Sequence, residues 1–304
     1  MKALLLTAGL GTRLRPFTFF QAKATLPLMN IPFVKYSLQY LRSNDVEAAV
    51  LNLHSFPDSV QEVAGTTYDG MPITYSYEPQ ILGTAGAIRK ASDMLGEQPF
   101  VVMNGDMVLD APLSAVIEQH QKSDADVTLV IAPGEQFRRY GHIYFDDTSS
   151  PPVLIGFRSG NGNGYHYCGI QIVSPRILPL IPPDQKTDIF RDIYPQLLPN
   201  RKIHGYVYDG MWMEMGSLKE YLETSLELQK HPLPSHLQPA GANGLISSTA
   251  TIEDDAVVEN SIVMDQAIVQ SGISVNHSII GPEVNVTDNV TDVALARGIL
   301  PWYL

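Results

Sequence analysis

The sequence is short of cysteine, of positive charge and of long apolar runs. One cysteine, Cys168, stands in 304 residues, so no internal disulfide can form and a disulfide-stapled scaffold is excluded. Lys and Arg number 20 against 32 Asp and Glu, a formal net charge of -12. A surface of that sign does not hold nucleic acid non-specifically, because a phosphate backbone needs lysines and arginines spread over a broad face. Any anionic ligand must therefore be met by local positive charge. No stretch approaches the ~20 apolar residues of a membrane span. The opening MKALLL is a short buried-strand pattern without the cleavage site of a signal peptide. We expect a cytoplasmic, globular protein with no nucleic-acid or membrane partner, and 304 residues are enough to bury a sizeable core.

What is present in the first part is an alternation of short β-rich runs with longer helical patterns. KALLLTA, EAAVLNL, ITYSYE, PFVVMNGD and DVTLVIA read as strands; PFVKYSLQYLRSND, with Val34, Leu38 and Leu41 at helical spacing, and GTAGAIRKASDML read as helices. That order predicts an α/β fold with a doubly wound, Rossmann-like sheet. After Ile131 the pattern loosens into strand-like GHIYFDD, PVLIGF and YCGIQIVS, then a helical IFRDIYPQLLP and a final helix over LKEYLETSLELQK.

A Pro-, His- and Gly-rich stretch, HPLPSHLQPAGANG, interrupts both periodicities and reads as a linker. We expect a first domain over 1–228, a linker over 229–245 and a second unit over 246–304. In that last part the triplet Ser261, Ile262, Val263 returns as Ser278, Ile279, Ile280, and Val257 and Val275 lie three six-residue steps apart. Small apolar residues at such intervals suit a short left-handed β-helix of hexapeptide-like repeats; a small conventional sheet is the alternative. An open β-helix end exposes backbone groups that favour pairing, which predicts a homo-oligomer formed through this tail.

The stretch AGLGTRLRP follows the first strand directly. Glycines there let backbone N–H groups approach an anion, and a parallel sheet collects its sites at the carboxyl ends of its strands. With Arg13 beside the turn and Lys23 shortly after it, the stretch is a candidate phosphate cradle, although it is neither a Rossmann fingerprint nor a Walker loop. An ordinary turn flanked by solvated charges is the other reading. Asp106 ends a later buried run at the same expected edge, where an acid is either a turn residue or a metal ligand.

Gly9, Gly11, Thr12, Arg13 and Pro16, then Lys23, Leu26 and Pro27, resemble the opening signature of the sugar-1-phosphate nucleotidyltransferases. The resemblance continues through EPQILGTAGAI, VVMNGDMVLD, RRYGHIYFD, YCGIQIVSPRIL and MWMEMGSLKEYLE, covering roughly residues 1 to 228 in order. It implies an enzyme that transfers a nucleotidyl group from a nucleoside triphosphate to a sugar 1-phosphate. By the same resemblance Gly9, Gly11, Thr12 and Arg13 serve the nucleotide phosphates, and Lys23 serves the phosphates near the reacting centre. Glu78, Gly83 and Thr84 lie along base and ribose, Asp106 holds Mg2+, and Gly141 approaches the sugar. Arg13, Lys23 and Asp106 are the implied catalytic set, since the chemistry joins two anions and calls for positioning and charge neutralisation.

Two departures from the family pattern stand out. Trp212-Met213-Glu214-Met215-Gly216 carries a glutamate where relatives place a metal-binding aspartate, which leaves Glu214 as an expected second ligand of longer reach. The Glu-Lys-Pro segment whose lysine meets the sugar phosphate is missing from LIGFRSGNGNGY; Arg158 is the nearest replacement cation, and Tyr167 stands where relatives contact the sugar. Cys168 reads as a packing residue. By the same resemblance, branches of the family with such a tail are frequently guanylyltransferases of mannose 1-phosphate, which implies a lean towards mannose 1-phosphate and GTP; uridylyl or thymidylyl transfer, or a regulatory subunit that binds nucleotide sugar without turnover, remain alternatives. An acyltransferase is disfavoured, because the tail has too few coils to build an intersubunit cleft.

Overall fold

Lys2–Leu6, Ala48–Leu53, Met71–Tyr77 and Phe100–Asn104 are apolar runs, and all four form strands. The computed structural model describes residues 1–133, 143–157, 163–242 and 244–304. Those four strands are parallel and lie in the order Met71–Tyr77, Ala48–Leu53, Lys2–Leu6, Phe100–Asn104. The first strand thus sits between the second and the fourth, and the order reverses at the seam between Lys2–Leu6 and Phe100–Asn104. Ligands of open α/β sheets bind at such a seam, beyond the carboxyl ends of its strands.

The sheet extends to ten strands and is mixed rather than purely parallel. Asn163–Val173 runs antiparallel between Phe100–Asn104 and Val127–Pro133, and Val153–Gly156 pairs antiparallel with Ile143–Asp146 and with Ile203–Val207. Asn163–Val173 is antiparallel to both of its neighbours, whereas Ile203–Val207 runs parallel to Val127–Pro133, so this half mixes both directions. Two helices, Pro57–Ala64 and Leu113–Lys122, and the strand Ile203–Val207 add to the elements expected from the sequence.

Both faces of the sheet are covered, as the strand alternation demands. Ala3, Leu5, Leu51, Val101 and Met103 pack into one core with Val34, Leu38 and Leu41 of the helix Phe33–Ser43. Leu4, Val50 and Val102 pack into the other with Ala87, Ile88 and Ala91 of the helix Gly83–Leu95.

The C-terminal part is a stack of short parallel strands in three ladders. Thr251–Ile252 pairs with Ile268–Val269 and then with Asn285–Val286; Val257–Glu259 pairs with Ser274–Asn276; Ile262–Val263 pairs with Ile279–Ile280 and then with Val293–Leu295. The register places Val258, not Val257, beside Val275, so the coil advances 17 residues here instead of the 18 expected from the valine spacing. Val263, Val269, Val275, Ile280 and Val286 fill its interior. Antiparallel pairing of Trp302–Tyr303 with Val293–Leu295 covers one edge. Ile262, Ile279 and Ala294 join the core beneath the main sheet, together with Leu233 and Leu237 of the preceding Pro-rich stretch and Leu245 just after it.

Candidate functional site

The seam in strand order carries a cleft lined by Thr7, Ala8, Gly9, Lys23, Asn52, Glu78, Gly83, Thr84, Asn104, Gly105 and Asp106. Registers explain how residues so far apart meet: Leu6 lies beside Asn52 on one flank and Asn104 on the other, so three strands end level. Gly105 closes the seam. Its N–H donates to the Leu6 carbonyl at 3.0 Å, and a Cβ there would stand 2.7 Å from that oxygen.

The turn after the first strand shows why its two glycines differ. Gly11 has φ of 59°, and a Cβ on it would lie 2.9 Å from Thr18 Cγ2 and 3.0 Å from Lys23 Cβ. It is required by the protein itself. Gly9 lines the cleft, and a Cβ there would meet no atom of the described residues within 4 Å. Among the described residues no acceptor takes the amides of Gly9, Leu10 and Gly11. Three successive donors that start at the cleft and have no acceptor among the described residues are the elements of an anion cradle. Thr12 and Arg13 follow in a short 3-10 turn and are exposed.

Lys23 donates from Nζ to Asp106 Oδ2, a partly buried ion pair. Asp106 is drawn towards Glu214 as well, because Met107–Leu109 pairs antiparallel with Trp212–Glu214 and the Met215 N–H donates to the Asp106 carbonyl at 3.3 Å. Burial, then the neighbouring Asp106 carboxylate, raises the Glu214 carboxyl above the usual glutamate range; Lys23 and Arg13 oppose that shift. Arg13 Nη2 lies 4.0 Å from Glu214 Oε1, and Gly216 makes room for it, since a Cβ there would stand 3.0 Å from the guanidinium.

Glu78 is buried with both carboxylate oxygens engaged. Oε1 accepts from Asn52 Nδ2 at 2.8 Å and Oε2 from the Leu82 N–H at 2.9 Å. It holds the loop leading into the helix Gly83–Leu95. Gly83 has φ of +71°, and a Cβ there would lie 2.7 Å from the Thr187 carbonyl, so this glycine is fixed by packing while Thr84 faces the cleft.

The structure therefore brings together Gly9, Lys23, Glu78, Gly83, Thr84 and Asp106 around one cleft, with Gly11, Thr12, Arg13 and Glu214 at its rim. Tyr167 is not among the lining residues; its ring packs on Phe190 at 5.1 Å, and its hydroxyl is buried with no partner among the described residues. Gly141 and Arg158 lie outside the described residues. Cys168 is buried and its thiol is pushed up to about 12 by burial, which suits packing and not nucleophilic chemistry. Asn52 and Thr7 were missed by sequence reasoning. An asparagine ending an apolar strand was the available signal, since a buried amide needs partners at both ends.

The model of the nucleotidyl transferase family matches residues 2–231. The chain is 31% identical over 271 residues to mannose-1-phosphate guanyltransferase of Schizosaccharomyces pombe, covering 83% of this chain and 73% of that protein. It is 30% identical over 237 residues to D-glycero-alpha-D-manno-heptose 1-phosphate guanylyltransferase of Aneurinibacillus thermoaerophilus, covering 76% of this chain and all of that protein. Among solved structures, a chain described as a putative glucose-1-phosphate thymidylyltransferase from Bacillus anthracis superposes with a TM-score of 0.68 at 18% identity, covering 78% of this chain and 98% of that one, a likeness of fold. With three-quarters of its length matched by one family model and the signature turn at the seam of the sheet, this chain belongs to the nucleotidyl transferase family.

Proposed function

We propose that the protein transfers a guanylyl group from GTP to mannose 1-phosphate, releasing pyrophosphate. The observation that carries this reading is the set of amides at Gly9, Leu10 and Gly11, without an acceptor among the described residues, close in sequence to Lys23 and Arg13 and following the first strand at the seam of the sheet. The choice of guanine and mannose rests on the relatives, two of which are named for guanylyl transfer to sugar 1-phosphates.

In the reaction a phosphate oxygen of the sugar 1-phosphate attacks the α-phosphorus of the triphosphate. The bond to the oxygen bridging α and β breaks, and pyrophosphate carries away the electron pair. Neither partner needs a covalent bond to the protein. The Gly9–Gly11 amides and Arg13 hold the triphosphate end, Lys23 neutralises charge at the reacting phosphates, and Glu78 acts at one remove by fixing the loop that carries Thr84.

Asp106 and Glu214 suit a divalent cation. Glu214 is raised first by burial and then by the Asp106 carboxylate, and a dication would relieve both. Mg2+ takes one or two carboxylates and completes its shell with water and phosphate oxygens, in keeping with a set of only two acids. When bound, Mg2+ supplies charge neutralisation at the phosphates.

Residues 1–228 would form the catalytic unit and 229–245 the connection to a left-handed β-helix over 246–304, whose exposed coil end would pair with a second copy of the chain. Pyrophosphate release measured with GTP, ATP, UTP and dTTP against mannose 1-phosphate and glucose 1-phosphate tests the reading. It is upheld by release that needs both substrates and Mg2+ and is fastest with GTP and mannose 1-phosphate. Release from no pair would sink it.

A further inference from the structure

Asn52 ties together the two walls of the cleft. Its Oδ1 accepts from the Thr7 N–H at 2.7 Å and the Ala8 N–H at 3.3 Å, and its Nδ2 donates to Glu78 Oε1 at 2.8 Å. The second oxygen of Glu78 accepts from the Leu82 N–H at 2.9 Å, one residue before the helix Gly83–Leu95. Asn52 is 4% exposed and Glu78 1%. The relay thus runs from the strand end that launches the Gly9 turn, through one side-chain amide and one carboxylate, to the loop carrying Gly83 and Thr84.

We propose that Asn52 is a positioning residue that couples the phosphate turn to the opposite wall of the cleft, so that triphosphate affinity and base discrimination depend on the same buried amide. This rests on the nucleotidyl transfer reading above. An amide is the group the place requires. It accepts from two backbone donors at one end and donates to a carboxylate at the other; aspartate lacks the donor and glutamine is longer by a methylene. By engaging Thr7 and Ala8, Asn52 also occupies their amides and leaves those from Gly9 onward for the ligand. A slack relay would let the two walls move independently, and a triphosphate held at one end would no longer fix the base at the other.

The test is an exchange of the two groups. Asn52→Asp sets a carboxylate against that of Glu78, which breaks the relay by like-charge repulsion. The double variant Asn52→Asp/Glu78→Gln swaps acid and amide at nearly unchanged volume and keeps a donor facing an acceptor between the two side chains. Steady-state kinetics with GTP and with ATP, at saturating mannose 1-phosphate and Mg2+, should show the single variant with KM for GTP raised about tenfold or more, as befits a buried polar contact left unmade. Its kcat should change less, and its GTP-over-ATP preference should shrink. In the double variant both should return to within about threefold of the original. A folded single variant with unchanged KM and unchanged preference overturns the proposal, and so does a double variant no better than the single. If Asn52→Asp fails to melt cooperatively, Glu78→Gln alone takes its place, with the same rise expected and the same unchanged values overturning the inference. If the unaltered protein forms no product from any triphosphate and sugar 1-phosphate, the reaction assignment has failed. Calorimetric titration of GTP then tests the coupling alone, with weakened binding in the single variant and restored binding in the double expected, and equal affinity in all three overturning it.

Discussion

Lys23 and Asp106, 83 residues apart in sequence, form a partly buried ion pair between the 3-10 turn Lys23–Thr25 and the turn after Phe100–Asn104. The pair spans the seam of the sheet, and each member has a separate duty in the proposed reaction. Lys23→Ala should lower kcat by about two orders of magnitude while KM for GTP changes less, because the charge it meets is greatest in the transition state. Asp106→Asn keeps the shape and removes the charge, and should raise the Mg2+ concentration for half-maximal rate about tenfold or more. Steady-state rates over a Mg2+ series check both, and full activity of either variant at the original metal concentration contradicts these duties.

Gly11 should prove a structural glycine. Its φ of 59° and the 2.9 Å approach of a Cβ to Thr18 Cγ2 predict that Gly11→Ala destabilises the protein by about 1–3 kcal/mol. Chemical denaturation of the two proteins measures this, and equal midpoints would show that the turn relaxes around the methyl group.

Arg13→Ala should leave stability unchanged, since the guanidinium is exposed and 4.0 Å from Glu214. Calorimetry should show GTP binding weakened by about tenfold, with affinity for mannose 1-phosphate unaffected. Equal loss for both ligands would mean that Arg13 serves the sugar phosphate as well.

A pH effect on stability is expected far from the cleft. His120 is 4% exposed and donates to or accepts from Thr128 Oγ1 at 2.9 Å. Burial lowers it to about 4, helped by Arg176 and His204 and opposed by Asp126. A base whose folded value is lowered contributes stability that is whole above the unfolded value near 6.5 and is lost as pH falls from there to about 4. The loss amounts to about 3 kcal/mol. His204, also lowered by burial, acts in the same direction. Thermal melts at pH 7, 5.5 and 4 should show the decline begin above pH 5, before carboxylates such as Asp146, held at about 2 by Thr148 and Arg201, begin to protonate. A melting temperature flat from pH 7 to pH 5 would contradict the buried neutral imidazole.

The central strands, their order of appearance and the helices Phe33–Ser43 and Gly83–Leu95 were legible because apolar period and length state them outright. The antiparallel strand Asn163–Val173 was visible as a strand but not in direction, since pairing depends on how the chain returns and periodicity does not record that. The glycines of the signature were legible as a phosphate turn, yet only the folded backbone separates Gly11, held by its φ and by Thr18, from Gly9, whose missing side chain leaves open space. Glu78 was found by resemblance, and its engagement with Asn52 and Leu82 was not, because a buried relay leaves no spacing in the sequence. In the C-terminal coil the valine spacing suggests an advance of 18, one residue too many. The return of Ser261-Ile262-Val263 as Ser278-Ile279-Ile280 agrees with the observed pairing of Ile262 and Ile279.

The most direct measurement is the rate of guanylyl transfer by the unaltered protein and by Gly9→Val, followed as pyrophosphate and nucleotide sugar together, with a melting curve for each. A Cβ on Gly9 meets no atom of the described residues within 4 Å, so the valine should leave the melting temperature unchanged while its side chain projects towards the space proposed for the phosphates. One pyrophosphate per nucleotide sugar is expected from the unaltered protein, and kcat/KM for GTP lower by about two orders of magnitude in the folded variant. Transfer at the original rate by Gly9→Val, or no stoichiometric product from the unaltered protein, would contradict a nucleotide held by this turn.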